Sequence, residues 1–136
     1  MASDQNNIEK AADLLFEAHN TGKPCSPIRD LLAEGDVDAA YAVQAINTKR
    51  FLDAGRRLVG RKIGLTSRAV QTQLGVDQPD YGMLYADMDV AEGEEVDVSR
   101  VLQPKVEAEI AFIMGDDLDD ERLTTADILS SIDYAV

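Results

Sequence analysis

Glu107 and Glu109 stand two residues apart in the stretch 102–113, LQPKVEAEIAFI. Read as an extended strand, this stretch turns successive side chains to opposite faces. Val106, Ala108, Ile110 and Phe112 then share an apolar face, and Glu107, Glu109, Ala111 and Ile113 share the other. The second face starts acidic and becomes apolar, whereas a solvated face would stay polar along its length. Carboxylates so spaced lie roughly 7 Å apart at their Cα atoms. Both can turn toward one hard cation, which prefers oxygen ligands. The alternative is a wetted edge strand whose acids are simply solvated, and periodicity leaves both readings open.

Lys62 lies in the alternating run 58–65, LVGRKIGL, with Gly60 and Gly64 two residues to either side. On a strand those three share a face, so the lysine stands on uncluttered ground. Glycine in a strand often marks close approach by a ligand or another backbone. The competing reading is a solvated lysine on a twisted edge. Asp80 falls in QPDYG, residues 78–82, which reads as turn chemistry. An aspartate there can also serve only to bind local backbone amides.

The composition narrows the remaining chemistry. Cys25 is the only cysteine and His19 the only histidine. An intrachain disulfide, a thiolate metal site and the histidine-based catalytic and zinc arrangements are therefore all excluded. His19 reads as a surface or packing residue on the first helix. The formal net charge is -13, from 26 acids against 13 bases. That argues against nucleic acid or an anionic membrane surface as partner. The start, MASDQNNIEK, lacks the basic and apolar regions of a secretory signal, and no apolar run reaches membrane-spanning length. A cytoplasmic, soluble protein is expected. The acid-rich loop 115–121, GDDLDDE, lacks the alternating acids and sixth-position glycine of an EF-hand and reads as a solvated turn.

The elements that must position these residues fall into two parts. A helical segment, 1–55, contains an amphipathic helix over 7–19 with Asn7 as its cap. It also contains a longer helix over 36–54, capped by Asp36 and stopped by Gly55. Val37, Ala40, Tyr41, Ala45, Phe51 and Leu52 supply the apolar side of that longer helix. From Arg56 the character changes. A strand over 58–65 precedes a short helix ending at Gly75, a short strand over 83–85, the carboxylate-bearing strand over 102–113, and a helix through Ser131 capped by Thr124 or Thr125. Residues 56–136 thus read as the first part of a β-rich domain, and the class is α+β.

Four blocks in order give the sequence a family likeness. They are AYAVQAIN from Ala40, GRRLVGRKIGLTS from Gly55, VQTQLGVDQPDYGMLYADM from Val70 and SRVLQPKVEAEIAF from Ser99. The chain closely resembles the 2-keto-4-pentenoate hydratases, within the fumarylacetoacetate hydrolase superfamily. The resemblance implies a mixed β-rich fold and a divalent ion, magnesium or manganese. Glu107 and Glu109 match the family's first two metal ligands. Lys62 matches the active-site lysine of its GRKxGLT block, and Asp80 the acid of its QPDYG block. It further implies hydration of 2-hydroxypenta-2,4-dienoate to 4-hydroxy-2-oxopentanoate in aromatic-compound breakdown, by a homo-oligomer. A 2-oxo acid decarboxylase of the 4-oxalocrotonate type is the alternative on the same scaffold. The family's third carboxylate ligand lies in a PALE-type segment shortly after the YAV block, and here Tyr134, Ala135 and Val136 are the last residues. The expectation is a chain matching the first half of the family pattern, either hydratase-like or acting only as a packing module.

Overall fold

The computed structural model describes residues 2–136, and its architecture is α+β. It divides into two compact units, the first ending at Leu102 and the second spanning Gln103–Val136. The change of character at residues 55 and 56 lies inside the first unit, where helices give way to strands. Among the described residues no helix is long and apolar enough to cross a membrane.

The first unit begins with a pair of helices. Helix α1 spans Gln5–Thr21, and its N-cap is Asp4, whose carboxylate accepts from the Asn6 amide at 2.7 Å. The cap expected at Asn7 is thus one turn too late, because Asp4 offers an ionised acceptor earlier in the chain. Gly22, at φ 64°, closes the helix in the left-handed conformation that glycine adopts without strain. Helix α2 spans Val37–Asp53 and starts at Asp36, as expected. One Asp36 oxygen accepts from the Ala39 amide at 3.0 Å, and the other accepts from both the amide and the hydroxyl of Ser3 at 2.7 Å. The Ser3 hydroxyl in turn accepts from the Ala33 amide, so this cap also pins the start of the chain and the connection between the helices. These hydrogen bonds, from the Ser3 hydroxyl first, hold the Asp36 carboxyl below the ordinary carboxylate range.

The helices meet through Ile8, Ala11, Ala12, Ala39 and Val43, with Ile28, Leu31, Leu32, Ala42 and Ile46 packed around them. Ala11 and Ala12 are fully enclosed, and such small side chains let the two backbones approach. The buried stripe of α2 is Ala39, Val43 and Asn47, with Asn47 donating to the Ala12 carbonyl at 3.0 Å. This corrects the expected apolar side. Val37 and Leu52 are exposed, because α2 carries apolar groups on more than one face and α1 covers only the narrow alanine-bearing one.

Strands β1, Leu58–Gly64, and β2, Asp80–Tyr85, form an antiparallel hairpin connected through α3, Arg68–Leu74. Arg56 joins the hairpin to the helices. Its guanidinium lies 4.7 Å from the ring centre of Phe51 and 4.2 Å from that of buried Tyr85. It also donates to Asp87, whose carboxyl is held below its usual range by that contact.

The second unit contains β3, Phe112–Met114, α4, Thr125–Ser130, and β4, Ile132–Ala135, with β3 and β4 antiparallel. Helix α4 opens with a reciprocal cap between Thr124 and Asp127. The long strand expected over 102–113 is largely absent. Only Phe112 and Ile113 of that stretch are in β3, and residues 104–111 carry no regular structure. The cause is the ladder. Pairing proceeds from Met114 to Ala111, which exchanges backbone hydrogen bonds with Val136 at 2.8 and 2.9 Å. No strand among the described residues pairs with residues 104–110. An extended segment without a ladder partner is not a strand. Ahead of this segment, in the first unit, a 3₁₀ turn occupies Val98–Arg100.

Candidate functional site

The β1–β2 register decides which side chains share a surface. Gly60 pairs with Leu84, Lys62 with Gly82 and Gly64 with Asp80. Residues directly opposite on an antiparallel ladder lie on the same face. One face therefore carries Gly60, Lys62 and Gly64 from β1, and Asp80, Gly82 and Leu84 from β2. Lys62 and Asp80 are diagonal neighbours, about 7–8 Å apart at Cα for such a pair. Three of the six positions are glycine, so an ammonium and a carboxylate stand on bare backbone. Both side chains are exposed.

Asp80 was expected in a turn and is instead the first residue of β2. Pro79 precedes it, and an N–H is dispensable at a strand's entry. Its neighbour Tyr81 is fixed from α2. The Tyr81 amide donates to the Tyr41 hydroxyl at 3.3 Å, and the Tyr81 carbonyl accepts from Gln44 Nε2 at 2.9 Å. The Tyr41 and Tyr81 rings stack with centres 4.7 Å apart and planes 18° from parallel. Tyr41 and Gln44 thus hold the strand end that carries Asp80, a role that the apolar pattern of α2 does not reveal. Their spacing, three apart on one helix, was the available signal. A cavity of about 510 Å³ opens beside them, lined among others by Tyr41, Leu65, Val76, Asp80 and Tyr81.

Leu65, just past β1, has φ 56°, a conformation few side chains adopt. Its carbonyl accepts from Gln71 Nε2 at 2.7 Å, which fastens the exit of β1 to α3.

Glu107 and Glu109 belong to the second unit, in the irregular segment before β3, and both are exposed. The strand face on which they were expected to converge is not formed there. Val106 is 99% and Ile110 71% exposed, so the apolar side of the segment is uncovered. Among the described residues, no group of three or more His, Cys, Asp or Glu side chains is arranged to hold a metal ion. His19 is exposed, its ring edge-on to Phe51 at 4.8 Å, which is the surface packing role expected of it.

No family model matches the chain. In sequence it is 64% identical over 129 residues to a protein of Pseudomonas putida F1 named TodF product hydratase, covering 95% of this chain and 48% of that protein. It is 61% identical over 128 residues to 2-keto-4-pentenoate hydratase 2 of Dechloromonas aromatica, covering 94% of this chain and 49% of that one. In structure it is similar to the 4-oxalocrotonate decarboxylase from Pseudomonas putida G7 solved with magnesium and adipate. There the TM-score is 0.87 and the identity 30%, over 97% of this chain and 50% of that one. The chain spans about half the length of the curated relatives it matches.

Proposed function

We propose, for a chain that matches the N-terminal half of the 2-keto-4-pentenoate hydratases, that it contributes the lysine–aspartate face and two metal-binding carboxylates of a hydratase acting on 2-hydroxypenta-2,4-dienoate. The observation that carries this reading is the register pairing Lys62 with Gly82 and Gly64 with Asp80. It gives a small acid an open surface bearing one cation and one carboxylate.

The substrate is the enol of a 2-oxo acid. Loss of the 2-hydroxyl proton and protonation at C5 give 2-oxopent-3-enoate, whose C4 is electrophilic. Water then adds its hydroxyl to C4 and a proton reaches C3, giving 4-hydroxy-2-oxopentanoate. Lys62 places positive charge beside the substrate carboxylate or moves a proton. Asp80 orients the water or accepts its proton. Glu107 and Glu109 are hard oxygen donors of the kind magnesium and manganese take, and magnesium keeps several waters beside one or two carboxylates. The pair therefore fits part of such an ion's shell, and the ion would supply Lewis-acid stabilisation of charge on the 2-oxygen.

A second reading, decarboxylation of a 2-oxo acid, draws on the similarity to 4-oxalocrotonate decarboxylase. The higher sequence identity to the hydratases favours hydration. The test is a chimera of residues 1–136 completed by the C-terminal half of a curated relative. With magnesium, its products from 2-hydroxypenta-2,4-dienoate and from 4-oxalocrotonate are followed by NMR. Formation of 4-hydroxy-2-oxopentanoate from the dienoate is expected. Carbon dioxide release from 4-oxalocrotonate without hydration of the dienoate would replace the hydratase reading with the decarboxylase one.

A further inference from the structure

We propose that Gly64 is a positioning residue: the space left by its missing side chain seats the Asp80 carboxylate beside Lys62. The inference rests on the role given to Asp80 in the proposed hydratase and names what holds that group in place. Gly64 and Asp80 are directly paired across the ladder. A Cβ built on Gly64 would overlap Asp80 Oδ1 and stand 3.3 Å from Asp80 Cγ. The carboxylate, though exposed, therefore lies against the backbone of its partner strand at Gly64.

The requirement for glycine here is one of space. Gly64 is not among the residues with positive φ, so any amino acid could adopt its backbone conformation. Gly82, on the same face, has nothing within 4 Å of its Cβ position, and Gly60 meets only the Leu84 side chain at 3.9 Å. Gly64 alone of the three is in intimate contact with a functional group. Tyr41 and Gln44 fix the backbone of Tyr81 next door. Asp80 is thus held from its main chain and from beneath its carboxylate. An added methyl group would push the carboxylate off the ladder, and a displacement of about 1 Å at a reacting group can cost on the order of a hundredfold in rate.

The experiment compares Gly64→Ala, Asp80→Ala and the double variant in the chimera, with kcat, KM and the melting temperature measured for each. Gly64→Ala is expected to lower kcat by on the order of a hundredfold with KM changed far less, and to lower the melting temperature. Asp80→Ala should lower kcat comparably. In the double variant the clash is gone, so the melting temperature should recover while kcat stays as low as in Asp80→Ala alone. The absence of any further loss of kcat on adding Gly64→Ala to Asp80→Ala is what a glycine acting independently of that carboxylate would not produce. Gly64→Ala with near-normal kcat beside an impaired Asp80→Ala would overturn the positioning role and leave the hydratase reading standing. Asp80→Ala at full rate would overturn the role of Asp80, and that of Gly64 with it.

Discussion

Lys62 stands in mid-strand with glycine at both neighbouring positions of its face and a third glycine directly opposite. The side chain is exposed and the positions around it on that face are mostly glycine. Lys62→Ala is expected to lower turnover by on the order of a hundredfold or more if the amine moves a proton, with little change in melting temperature. Unchanged kinetics in the chimera would return Lys62 to a solvated edge. The carboxylates make a complementary prediction. Glu107→Gln and Glu109→Gln each keep the shape of the side chain and remove the charge a hard cation needs. Both are exposed, and magnesium affinity measured by calorimetry should fall in each variant and turnover with it. Wild-type rates for both variants at limiting magnesium would refute the ligand assignment. The strand face that Lys62 shares with Gly60 and Gly64 was legible from the alternation of the run 58–65. The seat of Asp80 was not, since one strand's sequence does not reveal which residue faces it across the ladder.

At the scale of elements, caps carried most of the readable information and pairing carried least. Asp36, Gly75 and Thr124 mark helix ends in the sequence, and each does so in the structure. Asp4 and Asn7 are both residue types that cap helices, and only the hydrogen bond from the Asn6 amide to Asp4 decides between them. The stretch 102–113 has the alternation of a strand, yet alternation specifies faces and says nothing of a partner. Without pairing beyond Ala111 that pattern has no ladder to express it. The cap at Asp36 supports a prediction at this scale. Its carboxyl titrates below the ordinary value because the folded state supplies it with Ser3 and Ala39 donors. A lowered folded-state pKa means the unfolded chain takes up the proton more readily. The stabilisation is therefore complete above about pH 4, the ordinary carboxylate value, and is lost as pH falls through the lower folded value. Asp36→Ala should melt a few degrees lower at pH 7, with the gap to wild type narrowing below about pH 4. A gap that is constant across that range would show that the hydrogen bonds from Ser3 and Ala39 do not depend on the charge.

For the molecule as a whole, the distribution of burial matters more than any single contact. The first unit has a small alanine-rich core between its helices, but no large side chain among the described residues is fully buried. In the second unit Ser131 is the only buried residue, while Phe112 is 56%, Leu129 65% and Tyr134 67% exposed. A two-stranded hairpin with a six-residue helix and no enclosed apolar group is marginal alone. Exposed apolar surface on this scale promotes association. A polypeptide of residues 1–136 alone is therefore expected to bind a hydrophobic dye and to sediment as an associated species. On the proposed assignment, in which Glu107 and Glu109 are the carboxylate donors, magnesium would keep most of its water shell and bind weakly. Hydration of the dienoate should be negligible. Completing the chain with a relative's C-terminal half should lower dye binding and raise magnesium affinity and turnover together, because the apolar segment 104–110 would gain a covering and the carboxylates on it a fixed geometry. A monodisperse, dye-silent 136-residue polypeptide with full hydratase activity would overturn this account, and would require that the missing donors come from within the chain or from a second copy of it.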